Sequence, residues 1–303
     1  MAGSNARLRG LAAELAALAR RSTLLRGCGV LLAGALMAGT VSAQESGELA
    51  NLINAYRSSP QTCAGRQAAP AGPLAPDPAL ARVQMPPGVP LQDALKDAGY
   101  QAARVQAITV SGPANPGAAM RFIRQRYCRL LLDPRYSEIG ISREADTWRI
   151  VFARPLLSAD LGGWREAGEE ILKLTNAARA GPRSCGKQRF RAAPPVTWNA
   201  ELSAAALAHS RDMASRNYFR HAGKGGSQVG DRATQAGYNW RRIGENIAAG
   251  QGSPKQVVSA WLASPGHCAN IMNRHFTEMG AAYAVNPESD ITIYWTQVFG
   301  RAP

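Results

Sequence analysis

Apolar and polar residues follow two rhythms along the chain. From Arg165 to Ala180 the apolar positions Ile171, Leu172 and Leu174 fall at helical spacing, and Gly181-Pro182 stops the run. Asn199 is placed to cap a helix reaching about Asn217, with Leu202, Ala206, His209 and Met213 on one face. Gly230 to Gly237 suits a short helix. Ser253-Pro254 opens another, because serine caps and proline takes the first position, where no N–H is needed. Val257, Val258, Trp261 and Leu262 form its apolar stripe, and Ser264-Pro265 repeats the start signal for a short turn holding His267. The rhythm then changes. Met279–Val285 and Ile291–Phe299 are β-rich runs around the turn cluster Asn286–Asp290, which predicts a hairpin.

The same order occurs earlier. Leu52–Cys63 lies over Leu174–Cys185 with Leu, Asn, Ala, Arg, Pro and Cys coinciding. Asp93–Tyr100 then lies over Asp231–Tyr238, Cys128 over Cys268, Glu138-Ile139-Gly140 over Glu278-Met279-Gly280, and Val151–Arg154 over Val298–Arg301. An internal repeat is read before secondary structure. It predicts strands near Glu138–Ser142 and Trp148–Ala153, a loop over Pro-rich 67–90, and a first copy shortened by about sixteen residues between Leu80 and Asp93. Helices followed by an antiparallel hairpin indicate α+β, with helices packed on sheet faces. One early and one late cysteine in each copy predict the bonds Cys63–Cys128 and Cys185–Cys268.

The length of 303 residues accommodates two such domains. The apolar stretch Gly29–Val41 follows Arg20, Arg21 and Arg26 and ends in Val41-Ser42-Ala43, the pattern of a signal peptide cut after Ala43. The expected organisation is a signal peptide over 1–43, a first domain over 44–156, a linker over 157–165 and a second domain over 166–303. It implies export to the periplasm or beyond the cell, where disulfides persist, with no transmembrane segment once the signal is removed. The formal charge is +14, and most of the excess lies beyond residue 43. Such a balance favours anionic partners. The basic residues are scattered singly rather than in runs among stacking aromatics, so no nucleic-acid partner is expected.

All four histidines, His209, His221, His267 and His275, lie in the second copy. There is no HExxH, paired CxxC or GxSxG, which removes the common metalloprotease, zinc-ribbon and α/β-hydrolase signatures. The segments Asn217–His221, Gly244-Glu245-Asn246-Ile247, Ala260–His267, Asn273 with Phe276–Gly280, and Tyr294–Gly300 come in one order. Together they resemble the bacterial branch of the CAP superfamily, the cysteine-rich secretory, antigen-5 and pathogenesis-related proteins. The resemblance covers about 166–303 and reaches 44–155 only through the repeat.

The resemblance implies two tandem α-β-α sandwiches, the first degenerate. It also implies a cleft in which two His and two Glu hold a divalent cation such as Zn²⁺. By position the set is His221, Glu245 and His267, with His275 as fourth member or Glu278 in its place. In the first copy Glu245 becomes Ala107, His267 becomes Tyr127, His275 becomes Arg135 and the His221 segment is deleted, whereas Glu278 survives as Glu138. A residue kept where the cluster is gone reads as structural. The bland alternatives are a hydrogen-bonded core role for His209 and a metal-free polar network for the others. Three function classes stand open: a module binding a lipid-like or anionic envelope ligand, a metal-assisted hydrolase with Glu245 as base, and a structural protein with a vestigial site. The absence of a catalytic motif favours binding.

Overall fold

The structure is a computed structural model describing residues 29–157 and 161–303. Most of the expected signal peptide, and part of the expected linker, therefore lie outside the described residues. The first half runs α1 (Gly29–Arg57), β1 (Gln61–Cys63), β2 (Arg66–Ala68), β3 (Ala75–Pro76), α2 (Pro78–Ala81), α3 (Leu91–Asp97), β4 (Ala102–Ser111), α4 (Pro116–Arg126), α5 (Cys128–Leu131), β5 (Glu138–Glu144) and β6 (Thr147–Pro155). The second runs α6 (Trp164–Arg179), β7 (Arg183–Cys185), β8 (Gln188–Phe190), β9 (Thr197–Trp198), α7 (Ala200–Ser215), α8 (Val229–Gln235), β10 (Arg242–Ala249), α9 (Pro254–Leu262), α10 (Pro265–Met272), β11 (Glu278–Val285) and β12 (Ile293–Arg301). The chain divides after Gln44, and Glu45–Pro303 is one unit holding both sheets. No described helix is long and apolar enough to cross a membrane.

The two four-stranded sheets have one topology, β3-β5-β6-β4 and β9-β11-β12-β10. In each, three long strands pair antiparallel with the last of them in the middle, and a two-residue strand pairs in parallel at the edge, Ala75 with Glu138 and Thr197 with Glu278. The sheets are therefore mixed rather than purely antiparallel. The edge strand leads straight into a helix, and the chain returns only after a long crossover, which is what parallel pairing requires. Residues 67–90 are likewise more than loop: they hold β3 and α2, which are too short to leave a period in the sequence. Ser264-Pro265 opens a helix of eight residues, not a turn.

Both faces of each sheet are covered, giving two α-β-α sandwiches. In the second, Ile293, Trp295 and Phe299 of β12 pack with Ile171 of α6 and Trp261 of α9. Val298 and Tyr294 face the other way, toward Leu202 and Met213 of α7. In the first, Ile150 and Phe152 meet Leu49 and Ile53 of α1, while Val151 and Ala153 meet Leu80 and Leu95. Helix α7, sixteen residues long, is reduced to the four-residue α2 in the first half. Its N-cap persists: Asp77 accepts from Ala79 and Leu80 as Asn199 accepts from Leu202.

Buried polar anchors recur as well. The Asn54 amide exchanges two hydrogen bonds with the Leu74 backbone, and Asn176 does the same with Val196. Arg57 donates to the carbonyls of Gly72, Leu131, Asp133 and Tyr136. Arg179 donates to those of Pro194, Ile271, Asn273 and Phe276. The predicted disulfides Cys63–Cys128 and Cys185–Cys268 tie hairpins β1-β2 and β7-β8 to α5 and α10. Each closes a long loop and is worth about 2–4 kcal/mol.

Glu138 is wholly buried beside Tyr100, which donates to one carboxyl oxygen, while the other has no partner. Burial, with Asp77 adding, outweighs the Tyr100 hydrogen bond and raises the carboxyl from 4.5 to about 7. A carboxyl with a raised folded value stabilises the fold while protonated and loses that contribution as pH climbs through the same interval. The chain should therefore lose stability between about pH 4.5 and 7, with this group contributing on the order of 3 kcal/mol at most. Thermal unfolding across that range checks it. Glu138→Gln should flatten the profile, and an unchanged slope in the variant would refute the assignment.

Candidate functional site

The candidate residues come from three elements around one edge of the second sheet. Glu245 lies on β10, paired to Val298 of β12, and is 6% exposed. His221 lies in the loop after α7, where Asn217 takes a left-handed conformation (φ 48°) and turns the chain back. His221 Nδ1 is 2.8 Å from Glu245 Oε1, while the ring itself reaches solvent. The second carboxylate oxygen accepts from Arg232 of α8 at 2.6 Å, and Arg232 also donates to the His221 carbonyl. One arginine thus fixes both the carboxylate and the loop that carries its imidazole partner.

Beneath them His209 of α7 is fully buried, with Nε2 3.1 Å from the Arg220 carbonyl and 3.9 Å from Glu245 Oε1. His267 is held from the other side. Asn246 donates to the His267 carbonyl and to Gln297, and Asn270 of α10 donates to Asn246 and to the Glu245 carbonyl. These amides lock α10 onto β10. The His267 ring Nδ1 is buried without a partner.

The charges follow from this packing. Burial works against the Glu245 carboxylate. The His221 hydrogen bond and the charges of His209 and Arg232 outweigh it and hold the carboxyl below its ordinary value. Burial takes His209 down to about 4 against the pull of Glu245. Burial, with the charge of His221 adding, takes His267 to about 3. Both rings are neutral at pH 7, so each keeps one nitrogen lone pair. The arrangement is an anchored carboxylate, an exposed imidazole in contact with it, and a neutral, partly exposed imidazole whose buried Nδ1 is unused.

The remaining candidates lie elsewhere. Glu278 accepts from Asn199 at 3.1 Å and from Tyr238 at 2.7 Å, just as its counterpart Glu138 accepts from Tyr100. It ties the N-terminus of α7 to β11. His275 is exposed, and its ring makes no hydrogen bond or ion pair among the described residues. Among the described residues no group of three His, Cys, Asp or Glu side chains is drawn together as metal ligands. Two members of the cluster escaped the sequence. His209 reads as a core histidine and is also Glu245's buried neighbour. Arg232 carried a signal that went unused: it and Glu245 are an ion pair whose counterparts, Ala94 and Ala107, are both alanine in the first copy.

Fold and cluster define the class: an α-β-α sandwich with a buried His/Glu/Arg cluster at the edge of its sheet. Residues 172–299 match the family described as CAP: Cysteine-rich secretory protein family. The Bacillus subtilis (strain 168) protein YkwD is 36% identical over 131 residues, 43% of this chain and 46% of that protein. The membrane protein YlbC of the same organism is 30% identical over 112 residues, 37% of this chain and 30% of that protein. The chain spans less than half the length of either relative. An extracellular protein containing an SCP domain, from Bacillus anthracis str. Ames, is similar in structure at 19% identity and a TM-score of 0.40. The match covers 73% of this chain and 75% of that one.

Proposed function

We propose that this is an exported CAP-domain binding protein. Its second half holds a divalent cation on His221 and His267, and its first half is a degenerate copy of the same domain. The observation carrying the cation reading is the buried, unpartnered Nδ1 of His267. A buried polar atom without a partner costs on the order of 1–3 kcal/mol, and a metal ion would relieve it. The donor chemistry fits, since neutral imidazole is a common ligand for Zn²⁺. Glu245 keeps its contact with Arg232 and orients His221, the part a carboxylate plays behind a metal-bound histidine. When bound, the ion would supply a positive centre at the cleft, suited to an anionic or lipid-like envelope ligand, to which the overall charge of +14 adds long-range attraction. Export rests on the leader-like segment before Ala43 and on two disulfides.

A hydrolytic reading has one feature in its favour. The exposed His221 ring contacts a buried carboxylate, an arrangement that suits a general base. Peptide and muropeptide hydrolysis with and without chelator separates it from binding.

Elemental analysis and zinc titration of the full chain test the cation. About one equivalent is expected. His221→Ala and His267→Ala should each weaken binding by at least ~10-fold, whereas His275→Ala and Glu278→Gln should leave it intact. Absence of stoichiometric metal, or its retention in the His221→Ala/His267→Ala double variant, would exclude the assignment.

A further inference from the structure

A hollow opens in the first half beside Cys63. It has a volume of about 710 Å³, within the range of small-molecule sites, and is bordered by hairpin β1-β2, by β4 at Gln106 and by the α4–α5 segment. Four arginines line it, Arg66, Arg126, Arg129 and Arg135, against one acid, Asp133. Arg135 holds Asp133 at 2.6 Å. Arg126 lies over the Phe122 ring, 5.3 Å from its centre, a contact that leaves its N–H groups unused. The side chains of Arg66 and Arg129 make no hydrogen bond or ion pair among the described residues. The Gln106 carbonyl oxygen accepts from Tyr136, so its amide group also remains a donor.

We infer that this hollow binds the phosphate group of an organic phosphate ester. The replacements relative to the second half point one way. Tyrosine at 127 stands where the second half has the imidazole of His267, and arginine at 135 where it has His275. Three arginines around one hollow, their charges uncompensated, exceed what a lone carboxylate can satisfy. A phosphate ester offers up to three acceptor oxygens to guanidinium forks. Leu130 and Leu132 supply an apolar wall for the organic part. A soluble ester and a lipid headgroup present this same group, and the test below separates the two sources.

The test uses the full chain. Calorimetric titration with glycerol 3-phosphate and with succinate is paired with co-sedimentation on phosphatidylcholine vesicles with and without phosphatidylglycerol. Saturable binding of the soluble ester or of the phosphatidylglycerol vesicles, not of succinate, is expected. Arg66→Gln/Arg129→Gln should weaken it at least ~10-fold, a loss of about 1.4 kcal/mol. Both positions are exposed, so folding is not at stake. Binding to vesicles alone assigns a lipid source, and binding to the soluble ester assigns a metabolite. The parent chain titrated in the presence of a metal chelator should bind phosphate ester as before, which separates this site from the cation site. No saturable binding, equal binding of succinate, or indifference to the double substitution would overturn the inference.

Discussion

Gly280→Ala is expected to cost the protein at least about 4 kcal/mol and to leave little soluble product. A Cβ at this position would lie 2.0 Å from the Ser203 nitrogen and 2.4 Å from the Leu202 carbonyl carbon. These are backbone atoms of the first turn of α7, so no side chain can swing aside, and the sixteen-residue helix would have to lift from β11. Overpacking usually costs 1–3 kcal/mol; a clash with helix backbone lies beyond that range. Lifting α7 would also carry His209 away from Glu245. The first half supplies a graded control. A Cβ on Gly140 would lie 2.2 Å from the Leu80 carbonyl carbon, yet α2 is a single turn and can shift with less disruption. Gly140→Ala should therefore cost less than Gly280→Ala, and Gly181→Ala, with nothing within 4 Å, should cost little. Urea unfolding and soluble yield measure all three. A Gly280→Ala protein of parental stability would mean that α7 does not lie on β11 as described.

Arg179→Ala should destabilise by about 3–5 kcal/mol, through the carbonyls it abandons rather than through charge. The side chain is wholly buried and faces no carboxylate; its donors serve Pro194, Ile271, Asn273 and Phe276. Burial lowers its pKa to about 10, so it stays charged at neutral pH, stabilised by carbonyl dipoles alone. The guanidinium fork joins the end of α6 to the loop between α10 and β11, and no other residue type spans that set. Arg179→Lys keeps the charge and loses most of the fork, so it should recover only a minor part of the stability. Thermal and urea unfolding of the two variants decide the matter. A fully rescued lysine variant would shift the account from geometry to charge.

How much of this was legible in the sequence depended on what each residue faces. The β11-β12 hairpin was readable because β-rich runs flank a turn cluster. The strand β10 was not, because Glu245 and Asn246 are buried polar residues beside apolar ones, and neither face reaches water to imprint an alternation. Edge strands of two residues cannot show a period at all. The repeat, by contrast, foretold both disulfides and set Glu278 apart from the cluster. For His209 periodicity reported burial and stopped there, since helical spacing does not say which side chain of a neighbouring strand the ring will meet. Arg232 was within reach, because its loss and that of Glu245 coincide in the first copy.

The seam between the halves lies close to the cluster. Ser137 donates to the Gly250 carbonyl, and Gln251, wholly buried, donates to the Pro73 and Ser137 carbonyls, immediately beyond the end of β10. Gly72 approaches Phe219 and Ala249 within 3.5 Å of a would-be Cβ. The strand bearing Glu245 thus ends in a socket furnished by the other half, and a disturbance on one side of that seam is transmitted to the other.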